Sequence, residues 1–548
     1  MSGKQSIKTI AASFAAAGIL FAFATLARAD GTADCANIQT DKGKVTGTAD
    51  AKNSVCAYKS IPFAAPPLGE LRFAPPAEHA PWAETLQAVN IGNECLQMPM
   101  SLMPSTKVTG NEDCLYLNVF HPMGAAAKSK PVMVFIHGGG FVYGSKNWPI
   151  YNGATLTSKG DVVVVTINYR LATFGFLVHP SLKDKDGYEG NYALLDQLAA
   201  LKWVQKNIAN FGGDPNNVTV FGESAGGISV GFLLLTPAAK GLFQKAIIES
   251  GPIIVLYDQK EKQEKQGLEI AKILGCEDPK TAAECLRAVP AERLIKDIPM
   301  NINPISDYES GMKFAFLPSI DGKFLPDTPE KMYSRGDFLR GIPVIIGSNA
   351  DEASYFTMGA KVETQEAFEA VFEKNAELLN KSLGMNIDPK AVISKYPAAQ
   401  YKGAHAIYNA IVRDVAFTCP TQMVAKWISK YQPDTYVYLF SKSPAESGMF
   451  KDWGAFHGVE LAFVFGNFEF LGMKFGSKSN STLSNKVIAY WSTFARTGKL
   501  KVDGLPEWAP YSADKNNYLI LDKEISEGFN YQKDACDLFE SYFMNAKK

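Results

Sequence analysis

The sequence predicts an α/β fold: a large, mostly parallel central sheet flanked by helices, with helical insertions forming a lid or rim. Three observations carry that expectation. Short apolar, β-branched runs at 115–120, 132–136, 162–167 and 218–221 are each bounded by turn residues. Between the last two, residues 191–211 set Leu194, Leu195, Leu198, Leu201, Trp203 and Ile208 at helical spacing. Strands alternating with such helices make a sheet covered on both faces. No repeat, low-complexity stretch or Gly/Ser-rich linker divides the chain, so one large domain is expected over residues 30–548.

Ahead of that domain, residues 1–29 read as an export signal. Lys4 and Lys8 supply positive charge, 11–26 form an apolar stretch, and Ala27-Arg28-Ala29 is an A-x-A cleavage site. The apolar run falls short of the ~20 residues that a membrane span requires, and no later segment has the length to cross a bilayer. Secretion or residence in a periplasm is therefore expected. The Pro-rich run 61–76 reads as extended chain over a surface, since each proline excludes helix. Beyond the first four strands, 342–346 and 435–440 extend the sheet. Segments 261–338 and 363–413 are charged and helix-forming, and are candidates for the lid or rim where selectivity would be built.

Composition narrows the classes. A chain of 548 residues with net charge −1 and 46% hydrophobic content has a large core and no electrostatic bias toward nucleic acid. Eight cysteines suit an oxidising compartment. Nearness in sequence suggests Cys35–Cys56, Cys95–Cys114 and Cys276–Cys285, leaving Cys419 for Cys536. No C-x-x-C or H-E-x-x-H pattern supports a metal site, and no cofactor is expected. D-K-D-G near Asp184 is too incomplete for a calcium loop.

The most informative stretch is V-T-V-F-G-E-S-A-G-G-I-S-V-G at 218–231, a β-branched strand running through a Gly-flanked serine into a small-residue helix. So tight a turn needs Gly222, Gly226 and Gly227, and it pushes the Ser224 hydroxyl above the sheet edge. The helix adds N–H groups and a positive dipole end where a tetrahedral oxyanion forms. After the strand V-M-V-F-I comes His137-Gly138-Gly139-Gly140-Phe141, whose bare backbone suits an oxyanion hole that the Ala225 N–H would complete.

A serine nucleophile needs a base. Of six histidines, His405 and His457 follow the serine, in the chain order that this elbow favours. His405 sits in a helix-like stretch, A-H-A-I-Y-N-A. His457 lies in the Gly-bracketed loop W-G-A-F-H-G-V-E-L and is the better candidate. The orienting carboxylate falls at the end of I-P-V-I-I-G, where S-N-A-D-E-A-S offers Asp351 and Glu352. The residues themselves leave that choice open.

These motifs resemble the carboxylesterase type B family, which includes acetylcholinesterase, microbial esterases and some fungal lipases. The similarity spans essentially the whole mature chain. It is most specific at E-D-C-L-Y-L-N-V, H-G-G-G-F, N-Y-R-L-A-T-F-G-F-L and the block from Gly190 to the elbow. The resemblance implies an α/β-hydrolase fold, with Ser224 as nucleophile, Glu352 as acid and His457 as base. It also implies Gly139, Gly140 and Ala225 as the oxyanion hole, and pairs Cys95–Cys114, Cys276–Cys285 and Cys419–Cys536. Cys35–Cys56 rests on proximity alone. The function implied is hydrolysis of carboxylic esters through an acyl-enzyme, on a small-molecule substrate. In cholinesterases, the loop matching 95–114 presents a tryptophan to the choline ammonium. Here it has no aromatic residue and three methionines, so neutral esters are expected. The competing readings are a silent binding ectodomain, which would have lost triad residues, and a lipase, which would need a long apolar lid.

Overall fold

The structure, a computed structural model, describes residues 35–99, 107–124, 129–300, 315–470 and 472–546. The expected leader at 1–29, and Met100 and Met103 of the methionine-bearing loop, lie outside those residues. An 11-stranded sheet forms the centre. In chain order its strands are β1 (Thr48–Asp50), β2 (Val55–Pro62), β3 (Tyr116–Pro122), β4 (Lys130–Ile136) and β5 (Val163–Ile167). There follow β6 (Gly213–Glu223), β7 (Lys245–Glu249), β8 (Val344–Asn349), β9 (Thr435–Phe440), β10 (Asn517–Leu521) and β11 (Ser526–Phe529). In space the order is β11-β10-β9-β8-β7-β6-β4-β5-β3-β2-β1. From β5 across to β10 every pairing is parallel, and the pairings beyond β5 and β10 are antiparallel.

The central strands are apolar through their middles because both sheet faces are covered. Alternation along β4 shows this: Val132, Val134 and Ile136 join the core on one face, whereas Met133 and Phe135 join the core on the other. Val344 and Ile346 of β8 divide from Ile345 in the same way. Helix Tyr192–Asn207 packs on the first face. Helix Lys478–Thr497 brings Trp491 and Phe494 to the second.

Strand order places the site. After β4 the chain crosses to β5 on one side, then returns to lay β6 along the other side of β4. Ligands bind at such a switch point, outside the carboxyl ends of the strands. Ile136, the last residue of β4, pairs with Gly222 near the end of β6. The loop beginning at His137 and the turn at Ser224 therefore leave the sheet side by side.

Some elements differ from expectation. The run 61–76 is strand only through Pro62 and includes a 3-10 turn at Gly69–Leu71. The run 218–221 extends back to Gly213, and the helical segment 191–211 closes with a 3-10 turn at Ile208–Phe211. The insertions are helical, at Lys260–Leu274, Ala282–Ala288 and Pro329–Arg335, and at Gln365–Leu383 and Ala404–Arg413. Among the described residues, no helix is long and apolar enough to cross a membrane.

Candidate active site

β6 ends at Glu223, and helix Ala225–Leu235 begins one residue after Ser224. The turn between them forces Ser224 to φ 57° and ψ −123°, a sparsely populated conformation for a residue with a Cβ. Its surroundings hold it there. The Ser224 N–H donates to the Glu249 carbonyl at 2.9 Å, and Ile228 N–H donates to the Ser224 carbonyl at 2.8 Å. Gly226 lets the helix start against β4, since a Cβ there would run into the carbonyl oxygen of Ile136.

Beside the elbow, His137-Gly138-Gly139-Gly140 wraps over the end of β4. A Cβ on Gly138 would lie 3.0 Å from the Ser224 Cβ and 2.7 Å from Glu223 Oε2, so the loop approaches Ser224 as bare backbone. Gly139 has φ 108°, and its carbonyl accepts from Val142 and Tyr143 at 3.0 and 3.1 Å. The turn is thus closed through the Gly139 carbonyl rather than its amide. His137 is buried beneath, stacked 4.4 Å from Tyr169. Burial pushes His137 down to about 4, and its neutral ring donates Nδ1–H to the Gly138 carbonyl at 2.8 Å. Gln97, in the Cys95–Cys114 loop, fixes the far end through two bonds with Gly144, at 2.8 and 3.0 Å.

Glu352 and His457 come from separate elements. Past the end of β8, Glu352 is fully buried while Asp351 is exposed. Glu352 Oε1 accepts from the Asn349 N–H at 2.8 Å, and its Oε2 lies 2.6 Å from His457 Nδ1. Asp351 turns the other way and accepts from the Ala455 N–H at 2.8 Å, bracing the loop that carries the histidine. The His457 ring lies between Phe356 and Phe417, with centroids 4.9 and 4.8 Å away. Burial disfavours its imidazolium, but Glu223 and Glu352 outweigh that and raise His457 to about 9. His405 stands apart on helix Ala404–Arg413, with Nε2 3.1 Å from the Thr357 carbonyl.

Two groups escaped the sequence reading. Glu223 lies inside the G-E-S-A-G motif, and its Oε1 is 3.1 Å from His457 Nε2. The pair is close without being aligned as a hydrogen bond, for neither atom has a hydrogen-bond partner. Asn349 ties the end of β8 to the segment that carries His457: its side-chain N–H bonds the Phe456 carbonyl at 2.9 Å and also Glu460. The S-N-A-D-E spelling was a signal for Asn349, but only the strand end shows which way it points. Glu249 and Glu460 complete a buried acidic core behind the histidine.

Disulfides join Cys35 to Cys56, Cys95 to Cys114, Cys276 to Cys285 and Cys419 to Cys536. Among the described residues, no group of His, Cys, Asp and Glu is arranged to hold a metal ion. Asn480, whose N-S-T sequence has the form of a glycosylation acceptor, is buried and bonded to the Pro444 and Phe475 carbonyls, at 2.7 and 3.1 Å.

Comparisons with known proteins agree with one another. A family model described as the carboxylesterase family matches residues 34–539. The para-nitrobenzyl esterase of Bacillus subtilis (strain 168) is 39% identical over 497 residues, covering 89% of this chain and 95% of that protein. The acetylcholinesterase of Bungarus fasciatus is 35% identical over 518 residues, covering 89% of this chain and 83% of that protein. A solved thermophilic PNB esterase superposes with a TM-score of 0.77 at 36% identity, over 92% of this chain and 100% of the other.

Proposed function

We propose, from the premise that the chain belongs to the carboxylesterase family, that Ser224, His457 and Glu352 are the nucleophile, base and acid of its reaction. The protein is a serine hydrolase of carboxylic esters. The reading of the site rests on one observation above all: Glu352 Oε2 lies 2.6 Å from His457 Nδ1. That contact commits Nδ1 to carrying a proton and leaves the Nε2 lone pair to accept one.

In the proposed sequence, His457 Nε2 takes the Ser224 proton as the oxygen attacks the ester carbonyl. The Gly139, Gly140 and Ala225 amides stabilise the oxyanion, with no dipoles to reorganise. The alkoxide leaves with the proton from His457, and water then repeats the steps on the acyl-enzyme. Neutral esters suit the site better than choline esters. Phe356 and Phe417 line the base, and Met98 is the part-buried methionine of the described Cys95–Cys114 loop. A small uncharged ester, such as the para-nitrobenzyl ester in the name of the bacterial relative, fits that chemistry. Export with cleavage near Asp30 is proposed too, supported by the leader-like residues 1–29 and four disulfides.

Ser224→Ala tests the assignment. Turnover of a p-nitrophenyl short-chain ester should drop by about 10⁴-fold or more, with an unchanged circular dichroism spectrum. Retained turnover would mean that another group is the nucleophile. In the unsubstituted protein, kcat/KM for a choline ester above that for a neutral ester of the same acyl group would refute the substrate class.

A further inference from the structure

Gln97 takes no part in the acyl-transfer steps above, yet its buried amide is directed at the glycine loop. Its Oε1 accepts from the Gly144 N–H at 2.8 Å. Its Nε2 donates to the Gly144 carbonyl at 3.0 Å and to the Cys95 carbonyl at 2.9 Å. The side chain thus pairs with Gly144 as a residue of a neighbouring antiparallel strand would, because a primary amide both accepts and donates.

The contact continues inward. The N–H that Gln97 holds belongs to the peptide joining Tyr143 to Gly144. The carbonyl of that same peptide lies against Gly139, since a Cβ on Gly139 would strike the Tyr143 carbonyl oxygen. Gly144 has φ 121°, and a Cβ there would strike His137 Nδ1 and the Gly138 carbonyl oxygen. One peptide plane therefore separates Gln97 from a residue proposed as an oxyanion donor. Gln97 is held in its turn. Its own N–H and carbonyl pair with Thr109 at 3.0 and 2.9 Å, and Cys95 is bonded to Cys114, two residues ahead of β3.

We infer that Gln97 is a positioning residue for the oxyanion hole, which clamps the Tyr143–Gly144 peptide and so fixes where the Gly139 and Gly140 amides stand relative to Ser224. The inference rests on the proposed roles of Ser224 and those glycines. Donors fixed in advance stabilise developing charge without reorganising. A loop freed of its clamp binds the neutral ester as before, but it must be drawn into place as the charge develops, so the loss falls on the transition state. A second tie keeps the two loops together without Gln97. The Asn168 side chain donates to the Asn93 and Cys114 carbonyls, both at 3.0 Å, and accepts from the Lys146 N–H at 2.9 Å. Removing the Gln97 amide therefore releases one peptide plane and leaves the fold closed.

The test is steady-state kinetics on a neutral p-nitrophenyl ester in the unsubstituted protein, Gln97→Met and Gln97→Asn, with a trifluoromethyl ketone as the probe of the oxyanion hole. Met keeps the volume and removes the three hydrogen bonds; Asn keeps the amide on a stem one carbon shorter. In both variants kcat should fall by about tenfold or more while KM stays within about threefold. In the ketone adduct the Ser224 oxygen bonds the carbonyl carbon, the serine proton passes to His457, and the carbonyl oxygen takes the negative charge. Affinity for the ketone should therefore weaken by the same factor as kcat. A loss of kcat below about tenfold in a folded variant overturns the inference, as does undiminished affinity for the ketone. If circular dichroism shows that neither variant folds, Gln97 serves the fold and the inference falls. If Ser224→Ala keeps its activity the triad fails; if that variant is dead while both Gln97 variants keep kcat, this inference alone fails.

Discussion

Asp351 and Glu352 are adjacent acids with opposite surroundings, and burial separates their roles. Glu352 has no solvent exposure and reaches His457, whereas Asp351 faces water and holds the Ala455 amide. Glu352→Ala should cost about 10³–10⁴-fold in kcat, by losing the tautomer and orientation of the base. Asp351→Ala should cost no more than about tenfold, with about 1 kcal/mol of stability lost with its hydrogen bond. Kinetics and thermal melts of the two variants check this, and the reverse order of damage would move the acid's role to Asp351. The sign of the pH dependence follows from the base. As the proposed base, His457 must be neutral to accept a proton, and its imidazolium is favoured up to about 9, so activity should fall as the pH drops through that range. Stability runs the other way. A histidine raised in the fold contributes stability that is full below 6.5 and lost as the pH rises through about 9. Both candidate acids were legible in the sequence, but the choice between them came from the resemblance. Glu223 was legible as a letter of the elbow motif, yet its contact with His457 spans 234 residue positions and no local pattern encodes it.

At the scale of elements, the site depends on how closely β4, β6 and the helix after Ser224 approach. Two glycines separate the need for space from the need for an unusual backbone. Gly226 starts helix Ala225–Leu235, where a Cβ would strike the Ile136 carbonyl. Gly241 has φ 82° with nothing within 4 Å of a Cβ. Gly226→Ala should push the glycine loop away from the elbow and cut kcat by about 10²-fold or more, as losing oxyanion donors does. Gly241→Ala should cost about 1–2 kcal/mol of backbone strain and leave kcat intact. Equal losses of kcat would show that packing at the switch point does not set the oxyanion hole. The elements around that point were the readable ones. β9 occupies 435–440 as the apolar run suggests, because a strand buried on both faces has an unbroken apolar spelling. β2 was missed because V-C-A-Y-K-S-I-P carries Lys59 and Ser60 through a register shift, with Ser60 at φ 59°. β7 was missed because K-A-I-I-E begins and ends with charges that the fold buries. β10 and β11 lie at the antiparallel edge, where one-sided burial shortens the signal.

For the whole molecule, the disulfides divide into local staples and one long tie. Cys276 and Cys285 are separated by 9 positions, and Cys419 and Cys536 by 117. The long tie binds helix Lys533–Asn545 to helix Cys419–Ser429, beside a Lys426–Glu540 ion pair of 2.9 Å. Two residues before Cys419, Phe417 packs on His457, so the tie anchors the segment that flanks the proposed base. Sequence proximity suggested the short pairs and left the long one by elimination; nothing in the spacing placed it near the site. Chain entropy gives the two different weights. Closing the longer loop restricts the unfolded chain more, by about 2 kcal/mol at these lengths. Burial acts in the same direction, because Cys419 and Cys536 are both buried and serines there would place hydroxyls in an apolar setting. Replacing Cys419 and Cys536 with serine should therefore lower the thermal midpoint more than replacing Cys276 and Cys285. It should also lower kcat below the melting range, as Phe417 loosens against the imidazole. Scanning calorimetry and initial rates on the two double variants distinguish the outcomes. Equal drops in midpoint would mean that loop length does not govern what these bonds contribute, and an unchanged kcat in the long-tie variant would separate the anchor from the base.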